Sequence, residues 1–394
     1  MALSNKLRNW EPQPVIDWRA QRIDDPVRKL AYLRRSMDDR PLPVRRPIWR
    51  RLMLGAGLIA TCALLIPAPP VVSDVSPAAA RHQVFPERRA GAMPQHFAKV
   101  WMVEEGPEYE LYSNGLRIDT SFAVANNPRF YQVLDRKRDL QPSADWKSQP
   151  AGIVFHTTES TLPPFEQDQN SNLKRSALAL LGNLRDRKSY NFVIDRFGRV
   201  FKVVPEDNAA NHAGNSVWAD QDNVYLNLNS SFLGISFEAQ TMAGDGGQVI
   251  NQAQMHAGRI LTELLRAKYK IPAENCVTHA QVSVNPHNLL IGYHTDWARN
   301  FPYEEMGLGN NYDLTLPSIP EFGFEYDSLF RKAMGPATWK GLIHAEERLA
   351  QDAKAHRRSL SSYRATLHER YRRLYSTLKG TGAMEESSDA TNAN

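Results

Sequence analysis

Through the middle of the chain, apolar positions alternate between short unbroken runs and stripes of helical period. Ile153 to Phe155 and Cys276 to Thr278 are runs of the first kind. Each is closed by a histidine, His156 and His279, and each reads as a buried strand that delivers its histidine to a cleft. From Ile194 to Val204 two β-rich runs flank Asp195-Arg196-Phe197-Gly198-Arg199, where Gly198 supplies the positive φ of a tight hairpin. From Gln252 to Tyr269, Met255, Ile260, Leu261, Leu264 and Leu265 recur at three- and four-residue steps, with Pro272 just beyond. That spacing predicts an amphipathic helix ending before a strand. Leu173 to Leu184 predicts a second helix. Interleaved helices and strands give an α/β class, a mixed central β-sheet flanked by helices.

The flanks read differently. Residues 52–68 form a charge-free apolar run that would span about 25 Å as a helix. Arg34, Arg35, Arg40, Arg45, Arg46, Arg50 and Arg51 precede it, whereas Arg81, Arg88 and the adjacent Arg89 are the arginines that follow at a comparable distance. The expectation is an N-terminal transmembrane helix, a signal anchor with residues 1–51 as a basic cytoplasmic leader. The rest of the chain would then lie outside a bacterial inner membrane, in the periplasm. The competing reading is a cleaved signal peptide, since Ala78-Ala79-Ala80 resembles a cleavage site. Residues 69–98, rich in proline and alanine, read as a linker. Residues 99–146 are β-rich, with Asn114-Gly115 as a hairpin signal, and form either a small subdomain or an extension packed on the next domain.

Residues 311–335 connect to a long basic amphipathic helix over 336–379, on which Leu342, Leu349, Ala353, Leu360, Tyr363, Leu367, Tyr371, Leu374 and Leu378 approximate a heptad stripe. It either packs on the preceding domain or supports a homodimer. Residues 380–394 read as a disordered tail. The net charge of +5 comes partly from the two basic segments, and no nucleic-acid-reading element accompanies it. Cys62 and Cys276 sit in the apolar run and in a strand, so an internal disulfide is not expected.

The candidate chemistry lies in residues 147–310: His156 in GIVFHTTES, Glu238 in LGISFEAQ, His279 in NCVTHAQ, and His294 with Asp296 in GYHTDW. Two imidazoles and a carboxylate bind zinc and leave a fourth position open. The segment from Ser189 to Ser216, SYNFVIDRFGRVFKVVPEDNAANHAGNS, resembles the central hairpin and following loop of the zinc-dependent N-acetylmuramoyl-L-alanine amidases of type 2, a family that includes phage lysozyme-type amidases and peptidoglycan recognition proteins. The resemblance runs from about Gln149 to Leu308.

It implies a zinc amidase that cleaves peptidoglycan or muropeptides between N-acetylmuramic acid and L-alanine. It further implies His156, His279 and Asp296 as zinc ligands, Glu238 as general acid–base, His294 as oxyanion donor, and His212 and Asn215 as substrate contacts. Here His294-Thr295-Asp296-Trp297-Ala298 replaces the family's Lys-x-Asp-Pro-Gly type sequence after a longer loop, so His287 and His294 remain alternatives for the third ligand. The alternative function is a peptidoglycan-binding protein of the same fold without catalysis, and a third is a scaffold with structural zinc.

Overall fold

The computed structural model describes residues 97–241 and 249–380, all within one compact unit, Pro86–Asn394. The leader, residues 52–68, most of the linker and the tail after 380 lie outside the described residues. The strands, in chain order, are β1 (Met102–Gly106), β2 (Tyr109–Tyr112), β3 (Arg117–Asp119), β4 (Leu134–Asp135), β5 (Gln141–Pro142), β6 (Gly152–Thr157) and β7 (Phe192–Ile194). They continue with β8 (Val200–Lys202), β9 (Val217–Ala219), β10 (Asn223–Leu226), β11 (Phe232–Phe237), β12 (Cys276–Thr278), β13 (Val284–Asn285) and β14 (Leu290–Ile291).

Eight of them form one mixed sheet in the order β1-β2-β3-β8-β7-β11-β6-β12. Its centre is parallel, β7 to β11 to β6 to β12, and β7 and β8 form the expected antiparallel hairpin with Gly198 at φ 76°. The β-rich segment before the parallel core is an extension of this sheet, because β3 pairs with β8. β4 and β5 instead join β9 and β10 in a second, four-stranded sheet.

The parallel centre explains the unbroken apolar runs. All six residues of β6 are buried, since helices or loops cover both faces of a parallel sheet. Alternation sends Ile153 and Phe155 into the core built with Leu261, Leu264 and Leu265, while Val154 faces a second cluster with Val277, Trp218 and Phe232. His156 therefore shares the face of Val154.

The helices are α1 (Asn170–Asp186), α2 (Leu228–Ser231), α3 (Gln252–Tyr269), α4 (His279–Val282), α5 (Ser318–Phe322), α6 (Ser328–Met334), α7 (Lys340–Ala355) and α8 (Leu360–Gly380). The stripe read from the sequence thus covers the face of α3, whose N-terminus is fixed by a capping box between Asn251 and Gln254.

Two expectations are corrected. No helix among the described residues is long and apolar enough to cross a membrane. The α/β class stands, but the transmembrane helix, and with it a single-pass inner-membrane placement and a membrane contact through residues 52–68, is not supported. The longest described helices are amphipathic, each with one buried stripe and a polar opposite face.

The single helix over 336–379 is also two helices. Arg357 sits in the left-handed region at φ 53°, its N–H donates to Lys354 O (3.0 Å), and Arg358 N–H donates to Ala353 O (3.0 Å). These bonds close α7 with a Schellman motif. Ser359 then caps α8 by accepting from Ser362 N (3.2 Å). The break folds the pair back on the chain. Leu342, Leu349, Leu367, Tyr371 and Leu378 are buried in one cluster with Leu316, Phe322 and Phe324, so most of the stripe is covered within the molecule and a homodimer through it is not supported.

Candidate functional site

The carboxyl ends of β6 and β12 lie side by side, because β12 pairs with β6 in parallel register from Cys276↔Ile153 to Thr278↔Phe155. His156 stands at the end of β6, and His279 is the first residue of α4. Thr278 caps α4 in a box with Gln281, whose side chain also accepts from Tyr303 OH (2.5 Å). Crevices at the carboxyl ends of parallel strands are where ligands bind in α/β sheets.

Asp296 completes the group. One of its oxygens lies 3.2 Å from His156 Nδ1 and the other 2.9 Å from His279 Nδ1. Among the described residues these three form the one set of histidine, cysteine and acidic side chains able to hold a metal ion, with ligand atoms within 4.8 Å of one another. Tetrahedral zinc with bonds of about 2.0–2.1 Å sets its ligand atoms about 3.3 Å apart. The donor set and its spacing therefore fit zinc.

His294 is brought to the same place, its ring stacked on that of His279 with centroids 4.6 Å apart and planes 19° apart. His287 is not. It is exposed at the turn between β13 and β14, where its N–H donates to Asn285 Oδ1 (2.9 Å). His212 lies behind His156 rather than in front of it: its Nδ1 is 3.1 Å from His156 Nε2, and its Nε2 is 3.3 Å from Phe232 O. Gly234 permits this placement, since a Cβ there would meet His212 Cγ at 2.7 Å. Asn215 is half-buried, its carbonyl accepting from Val284 N (2.9 Å).

Glu238 follows the end of β11, two residues after Ser236, which is the register partner of His156. Its carboxylate is turned to the β7–β8 hairpin and accepts from Arg196 N (3.2 Å), and it is not in the ligand group.

Burial sets the charges here. Burial first, then repulsion from His279, pushes His156 down to about 4 and His294 down to about 3. Burial also holds His212 well below its usual value, helped by His156 and Arg129. Burial alone would raise the Asp296 carboxyl, but the charge on His279 and hydrogen bonds from both histidines outweigh it and keep Asp296 ionised. Glu238 is raised, mainly by burial, with the Arg196 N–H acting against it.

Two residues near the site carried no separate signal in the sequence. Tyr190, buried just before β7, sets its ring 5.0 Å from that of His156, and burial together with Asp296 keeps its hydroxyl protonated. Glu159, exposed just after β6, accepts from Thr157 Oγ1 and from Thr241 N (2.8 Å). Both belong to segments quoted above, but only the adjacency of β6, β7 and β11 shows what they border.

Residues 146–296 match the family model described as N-acetylmuramoyl-L-alanine amidase. A comparison with curated protein sequences finds no match. Among solved structures the chain is similar to the amidase AmiD from E. coli, in complex with the substrate anhydro-N-acetylmuramic acid-L-Ala-D-gamma-Glu-L-Lys, at 20% identity over 54% of this chain and 92% of that one, TM-score 0.35. It is also similar to AmpDh3 from Pseudomonas aeruginosa in complex with anhydromuramic pentapeptide, at 19% identity over 53% and 86%, TM-score 0.31. A third is the amidase LysC from Clostridium intestinale URNW, at 19% identity over 48% and 95%, TM-score 0.25. The family match spans the segment that carries His156, Glu238, His279 and Asp296, and through it residues 146–296 belong to the N-acetylmuramoyl-L-alanine amidase family.

Proposed function

We propose that this chain is a zinc-dependent amidase that hydrolyses the bond between the lactyl carboxyl of N-acetylmuramic acid and the amino group of L-alanine in peptidoglycan or its muropeptides. The observation that carries this reading is the Asp296 carboxylate set between Nδ1 of His156 and Nδ1 of His279. These three residues would hold the ion. When bound, zinc supplies Lewis acidity toward a carbonyl oxygen and lowers the pKa of water.

The remaining roles belong to the chain. With Nδ1 of His156 turned to the metal, its proton sits on Nε2 and donates to His212 Nδ1; the His212 proton then sits on Nε2, facing Phe232 O. This relay fixes the His156 ring, as the partners of metal-bound histidines do. It makes His212 a support for the ligand, and leaves Asn215 as the contact for the muropeptide. Glu238 takes a proton from the attacking water and returns it to the leaving amine, a role suited by its raised pKa. His294, stacked beside His279, donates a ring N–H to the oxyanion as the carbonyl becomes tetrahedral.

The test is incubation of the zinc-loaded protein with purified muropeptides, followed by mass analysis. Release of stem peptides with a free L-alanine amino group is the expected result. Binding of zinc and muropeptide with no such release would overturn the assignment.

A further inference from the structure

The segment that presents Asp296 is held by residues well beyond it in the chain. Trp297, fully buried, stands in the left-handed region at φ 59°. For a residue with a bulky side chain that conformation persists only where the surroundings impose it. The backbone on both sides of it is pinned. Asp296 O accepts from Ala280 N (3.2 Å), next to His279, and Trp297 N donates to Thr241 Oγ1 (3.4 Å).

The two following carbonyls are taken by side chains of the C-terminal region. Tyr312 OH donates to Trp297 O (2.6 Å), and Trp339 Nε1 donates to Ala298 O (3.0 Å). Tyr312 and Trp339 are themselves stacked, centroids 4.9 Å apart, and Trp339 meets Phe330 edge-on at 5.4 Å. Trp339 is the N-cap of α7, which is seated so close that a Cβ on Gly341 would lie 1.8 Å from Leu314 O. Tyr312, Phe330 and Trp339 all fall after residue 296, where the family match ends.

We propose that Tyr312 and Trp339 are positioning residues for the metal ligand Asp296, so that the C-terminal helical region is a clamp on the metal centre. The inference rests on the zinc reading above. The clamp acts through geometry. Two donors on rigid, mutually stacked aromatics hold the successive carbonyls of Trp297 and Ala298, and this keeps Trp297 left-handed and the Asp296 oxygens between the two imidazoles. Without these donors the segment can relax toward an ordinary conformation, which rotates the carboxylate out of register with His156 and His279.

The experiment uses the full-length chain and zinc itself as probe, with affinity read by competition against a chromogenic chelator. Tyr312→Phe and Trp339→Phe keep the aromatic stack but remove the donors. Each is expected to weaken zinc binding by about ten- to a hundred-fold, the range typical of groups that orient metal ligands. The visible spectrum of the cobalt-substituted protein is expected to change as the carboxylate leaves the ion. Leu349→Val, a cavity variant in the buried face of α7, controls for general loosening and is expected to lower the melting temperature while leaving zinc affinity within about two-fold of wild type. Wild-type zinc affinity and cobalt spectrum in both aromatic variants would overturn the clamp, as would an equal loss of affinity in Leu349→Val. Absence of zinc binding by the wild-type protein would overturn the zinc reading, and the clamp with it.

Discussion

His156 Nε2 and His212 Nδ1 lie 3.1 Å apart, behind the edge of His156 that faces Asp296. If His212 supports the ligand, His212→Ala should weaken zinc binding by about 10- to 100-fold, measured by chelator competition. If it instead contacts substrate, zinc affinity should be unchanged and KM should rise.

The ligand set predicts a sharp contrast around Asp296. His156→Ala, His279→Ala and Asp296→Ala should each leave the protein without stoichiometric zinc by elemental analysis, because two remaining ligands hold the ion too weakly. His287→Ala should retain it, since that side chain is exposed at the β13–β14 turn. His294→Ala should also retain zinc while kcat falls. A metal-free His287→Ala protein would refute the ligand assignment.

Glu238→Gln keeps the shape of the side chain but cannot accept a proton, so kcat should fall by about 10²-fold or more with zinc retained. The Glu238 carboxyl is raised above 4.5, and a general base must be ionised, so kcat/KM of the wild type should fall as pH drops through that raised value. The same shift has a sign for stability. A folded pKa above the unfolded one means the folded state binds the proton more tightly, so stability is lost as pH rises from the unfolded to the folded pKa. At pH 7 Glu238→Gln should therefore unfold at the same or a higher temperature than wild type, with any gain vanishing near pH 4. A Glu238→Gln enzyme with wild-type turnover would remove Glu238 from the mechanism.

The turn between α7 and α8 gives a prediction independent of the active site. Arg357 holds a left-handed conformation that costs a side-chain-bearing residue about 1–2 kcal/mol, so Arg357→Gly should stabilise the protein by roughly 0.5–1 kcal/mol. Loss of the cap in Ser359→Ala should cost about 1 kcal/mol. Urea midpoints would read both, and a destabilised Arg357→Gly would show that the arginine side chain matters more than the backbone.

The sequence by itself determined the elements whose causes are local. Gly198 marked the hairpin, the three- and four-residue spacing in Gln252–Tyr269 marked α3, and the runs before His156 and His279 read as the buried strands they form. The order of His156, Glu238, His279 and Asp296 also carried the family resemblance.

What depended on contacts between distant segments was decided only by the tertiary structure. Three residues that follow His279 in the chain, His287, His294 and Asp296, were chemically able to complete the proposed metal site. The β13–β14 turn leaves the first exposed, while the last, preceding the left-handed Trp297, lies between the two imidazoles. His212 read as a cleft residue in contact with substrate, and only the structure brings its ring against Gly234 and within 3.1 Å of His156 Nε2. The heptad stripe after Pro336 likewise could not say which partner it meets, because periodicity records that a face is apolar and not what covers it. A single left-handed residue, Arg357, folds that stripe onto the chain's own second core, where Trp339 reaches the loop that presents Asp296.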